Sequence, residues 1–341
     1  MAVAAELRDS GAEVSFLGTR ERIEAELVPA AGYEIDFVKV RGIDRRNPLR
    51  AARAGFEAVG AVGAARRVLR ERRADVVIGG GGFVAGPAGL AAIVARTPLV
   101  LTEADSHLGL ANRLLARRAE RVCLAFPIVG REGERYLLTG RPVPAAVVGA
   151  DREEARRRFG IVAAERCLLV VGGSQGARSV NFAALEAFAE REGRDFHVLH
   201  LSGKRDFEQL RDRLARAPHG ERYTLLAYEP DLGDALAACD LVLGRSGGSI
   251  FELTAAGRPA ILVPYPHATA DHQSANAAWM RRAGAATVIV DAELSPERLA
   301  GEVGALFADP ERLERMAAAS RGLARPDAAR RIADEVLRAA S

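Results

Sequence analysis

The chain is poor in lysine, in cysteine and in long apolar stretches, and each shortage removes a class of protein. Of the 48 basic residues only Lys39 and Lys204 are lysines; the others are arginine. Beside so much alanine and glycine, that bias reads first as a GC-rich genome and only second as a function. The 45 acidic residues leave a net charge of +3, too near neutral for whole-chain nucleic-acid binding, and no nucleic acid is expected as a partner. Three cysteines, Cys123, Cys167 and Cys239, are an odd number set far apart, which argues against a disulfide framework or a zinc knuckle and suits a reducing cytoplasm. The longest nearly uncharged apolar stretch, around Ala85 to Ala95, is too short to span a bilayer. No cationic and apolar signal segment opens the chain. Also missing are Asp-x-Asp, His-x-x-x-His and a P-loop, so metal-bridged transfer and NTPase chemistry lose their usual support. Neither a metal nor a cofactor is expected.

What is present is an α/β pattern. With 341 residues, 49% hydrophobic and 27% charged, the chain can bury the cores of two ordinary domains. Short β-branched or leucine-rich runs recur at Val14 to Leu17, Ile35 to Val40, Asp75 to Ile78, Pro98 to Leu101 and Arg121 to Ala125. A second series follows at Cys167 to Val171, Phe196 to Leu201, Tyr223 to Ala227, Leu241 to Leu243, Ala260 to Val263 and Thr287 to Val290. Alanine- and arginine-rich helical segments alternate with them, which predicts two doubly wound parallel sheets. The prolines of Gly140 to Pro144 mark the junction, giving residues 1–143 and 144–326, with a last helix from Asp327 that has no strand after it. Met1 to Asp9 already reads as a helix, so the chain is expected to begin inside its first βα unit and to lack that domain's first strand. Val3 and Leu7 are then expected to lose packing surface, leaving the chain poorly stable and weakly active.

Four segments carry chemistry. Gly172 to Ala177 (Gly-Gly-Ser-Gln-Gly-Ala) joins a strand to a helix, where glycines and free N–H groups suit a diphosphate; a plain tight turn is the alternative. Gly79 to Pro87 ends another strand and reads as room for a bulky anion or as a flexible connection. In Arg245 to Glu252, Ser249 and Glu252 have capping-box spacing, so Glu252 either satisfies backbone donors or binds sugar hydroxyls. His272, Gln273 and Asn276 form a polar cluster at a helix start that can bond a sugar's hydroxyls and amide. A fifth segment, Pro48 to Arg73, is a basic amphipathic stretch with Leu49, Ala52, Phe56, Val59 and Val62 on one stripe; it lies either on an anionic membrane or on its own sheet.

Taken in order, Gly79 to Pro87, Glu103 to Asn112, Gly172 to Ala177, Arg245 to Glu252 and His267 to Asn276 resemble the MurG family of bacterial N-acetylglucosaminyltransferases, over essentially the whole chain. The resemblance implies a GT-B fold, two Rossmann-like domains with a cleft between them, a C-terminal helix (327–341) that crosses back to the first domain, and an inverting, metal-independent enzyme. UDP-N-acetylglucosamine would bind the second domain through Gly173, Ser174, Gln175, Gly176, Ser246, Gly247, Glu252, His272 and Gln273, with Tyr228 to Pro230 bordering uracil. Lipid I would bind the first domain, its diphosphate at Gly80, Gly81, Gly82 and Asn112, on the cytoplasmic face of the plasma membrane. The family's opening Gly/His loop has no counterpart here, and its His-Glu-Gln-Asn is Thr102-Glu103-Ala104-Asp105. That leaves Glu103 and Asp105 as the carboxylates to consider for the base. A diacylglycerol acceptor, or sugar-nucleotide binding without turnover, stays open on the residues alone.

Overall fold

The computed structural model describes residues 1–40, 48–172, 177–192, 194–268 and 271–341, with 48–59 as backbone only. The chain divides into two compact units, Met1–Pro142 with Asp327–Ser341, and Val143–Pro326. In the first unit the order is α1 (Ala2–Asp9), β1 (Ser15–Gly18), α2 (Glu24–Ala30), β2 (Glu34–Phe37), α3 (Pro48–Glu71), β3 (Val77–Gly79), α4 (Gly82–Ala95), β4 (Leu99–Glu103), α5 (Leu110–Leu115), β5 (Arg121–Leu124) and β6 (Tyr136–Leu138). The second unit runs α6 (Ala145–Gly149), α7 (Arg152–Arg158), β7 (Cys167–Val171), α8 (Arg178–Phe188), β8 (His197–Leu201), α9 (Phe207–Leu214), β9 (Tyr223–Leu226), α10 (Leu232–Ala238), β10 (Leu241–Gly244), α11 (Ile250–Ala255), β11 (Ala260–Leu262), α12 (His272–Arg282), β12 (Ala286–Val288), α13 (Pro296–Ala308) and α14 (Pro310–Leu323). A final helix, α15 (Ala328–Ala340), belongs to the first unit.

Every described strand pair is parallel. The second unit holds one six-stranded sheet, ordered β12-β11-β10-β7-β8-β9. Its strands are fully buried at Leu168, Val170, Leu241, Leu243 and Ile261, as expected where helices cover both faces of a parallel sheet. The strand order reverses between β7 and β10, and the loops leaving their C-terminal ends therefore frame the crevice in which such sheets bind ligands. Two of its helices start alike: Ser295 and Asp309 cap Arg298 N–H and Arg312 N–H, each followed by a proline at the first helical position.

In the first unit the strands form two ladders, β1-β2 and β3-β4-β5-β6; among the described residues β1 and β3 are not paired with each other. The expected loss of packing around α1 does not follow. Leu7 is buried in a cluster with Val100, Cys123, Ile332 and Val336, and Val3 packs against it. The reason is α15, whose apolar face lies on α1 and β4 and whose Glu335 pairs with Arg121 at 3.1 Å. Gly79 to Pro87 is also not a loop. The chain turns at Gly80 and Gly81, α4 begins at Gly82, and Pro87 lies within the helix.

Candidate active site

The first unit's site grows from the end of β4. Glu103 is buried there, and its carboxylate accepts three hydrogen bonds: Oε1 from Asp105 N–H at 3.2 Å, and Oε2 from Gly109 N–H at 2.8 Å and Asn112 Nδ2 at 2.9 Å. It thereby folds residues 103–112 into a closed turn that delivers the chain to α5. Asn112, 1% exposed, spends its other amide hydrogen on Thr102 O at 2.9 Å. Both of its amide hydrogens are engaged within the turn, so Asn112 supports Glu103 and borders Gly81. Asp105 stands on the outside of the turn, exposed, with no hydrogen bond or ion pair on its carboxylate among the described residues. Of the two carboxylates, it is the one free to meet a substrate.

Gly80, Gly81 and Gly82 lie directly after β3. Gly81 and Gly82 have φ of 80° and 76°, a region that disfavours any side chain, and Gly81 occupies the N-cap of the 14-residue α4. The unpaired N–H groups and positive end of that helix suit an anion.

In the second unit Gly173, Ser174, Gln175 and Gly176 lie outside the described residues. Their anchors are described. Gly172 N–H donates to Leu201 O, and a Cβ at Gly172 would stand 2.8 Å from both Asn181 Oδ1 and Ser202 O, so only glycine fits. After β10, Ser246 is fully buried and donates its hydroxyl to Gln273 O at 2.7 Å, while its own carbonyl accepts from Asn276 Nδ2 at 2.9 Å. The Ser246 hydroxyl thereby fixes Gln273 to the β10 loop. Gln273 accepts Tyr265 N–H on Oε1 at 2.9 Å, with its Nε2 beside Gly247. His272 and Glu252 are half-buried at the starts of α12 and α11. Ser249 makes no side-chain cap bond, so the capping box allowed by the spacing is not closed from the serine side. Tyr228 is 61% exposed beside Lys204, whereas Glu229 is turned in, held by Arg158 and by Asp231 N–H.

Reading the sequence missed Arg245. Its guanidinium bonds Val263 O at 3.0 Å, Asp291 Oδ1 at 2.5 Å and Ser179 Oγ at 2.8 Å, tying the first turn of α8 to the segments that follow β11 and β12. The signal was its place, the first residue after a strand at the switch point. Among the described residues no group of three or more His, Cys, Asp or Glu could hold a metal ion.

The comparisons with known proteins agree with the fold. Residues 1–124 match the glycosyltransferase family 28 N-terminal domain, and residues 167–332 match the family's C-terminal domain. A UDP-N-acetylglucosamine--N-acetylmuramyl-(pentapeptide) pyrophosphoryl-undecaprenol N-acetylglucosamine transferase from Moorella thermoacetica is 40% identical over 99% of this chain and 94% of its own length. The protein of the same name from Alkalilimnicola ehrlichii is 42% identical over 98% and 92%. Among solved structures, MurG of Acinetobacter baumannii superposes with a TM-score of 0.82 at 29% identity, covering 99% of this chain and 94% of that one. A UDP-GlcNAc 2-epimerase from Neisseria meningitidis, at TM-score 0.67 and 15% identity over 99% and 95%, shares the fold alone.

Proposed function

Because the chain belongs to glycosyltransferase family 28 in both of its halves, we propose that it transfers N-acetylglucosamine from UDP-N-acetylglucosamine to the muramoyl sugar of lipid I, forming lipid II. The observation that carries this is identity of about two residues in five to transferases of that name along nearly the whole chain. In the proposed reaction the acceptor's C4 hydroxyl attacks the anomeric carbon, the bond to UDP breaks with inversion, and the hydroxyl proton passes to a base. Asp105 is assigned as that base because its carboxylate is exposed and uncommitted, whereas Glu103 is occupied three times over. The leaving diphosphate is assigned to residues 173–176, which precede α8 in the sequence, and the dipole of that helix is assigned to offset its charge without a cation. Glu252 is assigned to the ribose hydroxyls, His272 and Gln273 Nε2 to the donor sugar, and Tyr228 to the edge of uracil. The Gly80–Gly82 turn, at the positive end of α4, is assigned to the diphosphate of lipid I.

We further propose that the first unit works on a membrane surface. No helix among the described residues is long and apolar enough to cross a bilayer. Of the basic stretch expected to meet the membrane, residues 41–47 and the side chains of 48–59 lie outside the described residues, while Arg66, Arg67 and Arg70 are exposed. A second surface of the right chemistry is α5, with Leu110 and Leu114 outward one turn apart and Arg113, Arg117 and Arg118 exposed beside them. Leucines that enter the acyl boundary next to arginines that meet anionic headgroups are what an interfacial helix needs.

The test is turnover of UDP-N-acetylglucosamine with lipid I in detergent, with and without chelator. Lipid II formation unaffected by chelator is expected. Transfer to diacylglycerol instead, or UDP binding with no transfer to either acceptor, would overturn the assignment.

A further inference from the structure

The segments that follow β10, β11 and β12 meet on one guanidinium. Arg245, the first residue after β10, has a side chain only 15% exposed, and its fork is engaged on two sides. On one side Nη1 lies 2.5 Å from Asp291 Oδ1 and Nη2 lies 2.8 Å from Ser179 Oγ, while Ser179 donates its hydroxyl to the same Asp291 oxygen at 2.7 Å. On the other, Nη1 donates to Val263 O at 3.0 Å and Pro264 O at 3.3 Å, and the guanidinium stands 5.4 Å from the centre of the Tyr265 ring.

The bond to Pro264 O has a consequence one residue on. Pro264 C=O and Tyr265 N–H are the two ends of one planar trans peptide, so fixing the carbonyl fixes the direction of the N–H. That N–H donates to Gln273 Oε1 at 2.9 Å. Only the oxygen of an amide accepts, so the Gln273 side chain has one orientation, with Oε1 on the turn and Nε2 on the other end, beside Gly247. The backbone of Gln273 is held separately, its carbonyl accepting the Ser246 hydroxyl at 2.7 Å. A ligand group that meets Nε2 is therefore a hydrogen-bond acceptor.

We propose that Arg245 is a positioning residue for the donor sugar: through the Pro264–Tyr265 peptide it sets the Gln273 amide so that Nε2 meets an acceptor oxygen of the sugar, a hydroxyl or the acetamido carbonyl. This rests on the assignment of Gln273 to the donor sugar, and the experiment separates the two. Hydrogen bonds in series polarise one another, so loss of the first weakens the second. Lysine keeps a charge for Asp291 but has no planar fork, and it cannot hold Ser179, Asp291 and the two carbonyls in one geometry.

Affinities for UDP and for UDP-N-acetylglucosamine are measured by titration calorimetry on the parent, Arg245→Lys, Gln273→Leu and the double variant, with melting temperatures alongside. The ratio of the two affinities isolates what the sugar contributes, because a general loosening of the site weakens both ligands alike. Gln273→Leu is expected to lower that ratio about 5- to 10-fold, the scale of one lost hydrogen bond, and Arg245→Lys about 3-fold or more. The double variant is expected within about 2-fold of Gln273→Leu, since both changes cut one path. Arg245→Lys at the parent ratio beside a lowered Gln273→Leu, or losses that multiply in the double variant, would overturn the proposal. An unchanged ratio in Gln273→Leu would overturn the assignment of Gln273 to the sugar, and the proposal with it. Should Arg245→Lys not fold, Ser179→Ala removes the oxygen that Nη2 meets; a ratio lowered about 2-fold in the parent and unmoved in Gln273→Leu is expected, and an unmoved ratio in the parent refutes.

Discussion

Changing Glu103 to glutamine removes one charge at a group that holds three donors, and the cost can be read from the bonds. An amide keeps a single acceptor oxygen. In its better orientation that oxygen stays opposite Gly109 N–H and Asn112 Nδ2, and the new NH₂ is set against Asp105 N–H, donor against donor. Hydrogen bonds to a charged group contribute about 1.5–3 kcal/mol and neutral ones about 0.5–1.5. Weakening two such bonds and opposing the third in a buried position should therefore cost about 2–4 kcal/mol. For a unit of this size that lowers the melting temperature by roughly 4–16 °C. Asp105→Asn removes a charge from an exposed carboxylate without a partner and should change stability by no more than about 0.5 kcal/mol. If Asp105 is the base, turnover of lipid I should fall by about 10² to 10⁴. Thermal melts and initial rates on the two variants test the division of labour. A Glu103→Gln protein that melts with the parent yet has lost turnover, beside an active Asp105→Asn, would refute the assignment and make Glu103 the base.

Three further outcomes follow from the same geometry. In the unfolded chain His200 takes a proton below about pH 6.5, whereas the folded chain, which buries the ring wholly on β8, refuses it down to about pH 3, so stability is whole above pH 6.5 and falls with pH below it. The slope should approach about 1.4 kcal/mol per pH unit from this residue, and urea titrations at pH 7, 6 and 5 should show it flattened in His200→Gln. Gly233→Ala would drive a Cβ to 2.5 Å from the Ala146 carbonyl oxygen and 2.9 Å from Val147 Cα, backbone that cannot turn aside, and should cost about 1–3 kcal/mol in a denaturant titration. Replacing Leu110 and Leu114 with serine should release the protein from anionic vesicles in flotation assays while leaving UDP binding unchanged; retention equal to the parent would remove α5 from the membrane surface.

The strands were legible because parallel strands covered on both faces must be continuous apolar runs, and each such run is a strand in the structure. The exception is β6, whose three residues Tyr136–Leu138 follow charged residues and give periodicity too little length to register. Four adjacent glycines hid the start of α4, since propensity argues against a helix there; the residues after Gly82 pack well enough to override it. Packing also overrode the expectation for α1. A helix that begins at Ala328, far along the chain from the end of α1 at Asp9, supplies the apolar surface that local reasoning found missing, and no periodicity within α1 announces a partner so remote.

Within the site the residue types were legible and their directions were not. Asn112, Asn181 and Asn276 each sit in the opening turns of a helix, are nearly or wholly buried, and donate Nδ2 to a carbonyl at or just beyond a strand's end: Thr102, Ser202 and Ser246. The common device is a buried amide that staples a strand's exit to a helix's entry. It makes the loop geometry insensitive to solvent, since a carbonyl held in a dry interior gives up its bond only at the cost of its desolvation. Buried polar side chains at these edges therefore spend hydrogen bonds on backbone, and the groups proposed to meet substrate, Asp105, Gln273, His272 and Glu252, are their less buried neighbours. The three staples differ at Oδ1. Asn112 and Asn276 have no hydrogen-bond partner there among the described residues, while Asn181 has His200. The one staple whose amide is constrained on both sides is the one at the start of α8, which follows the proposed diphosphate loop in the sequence.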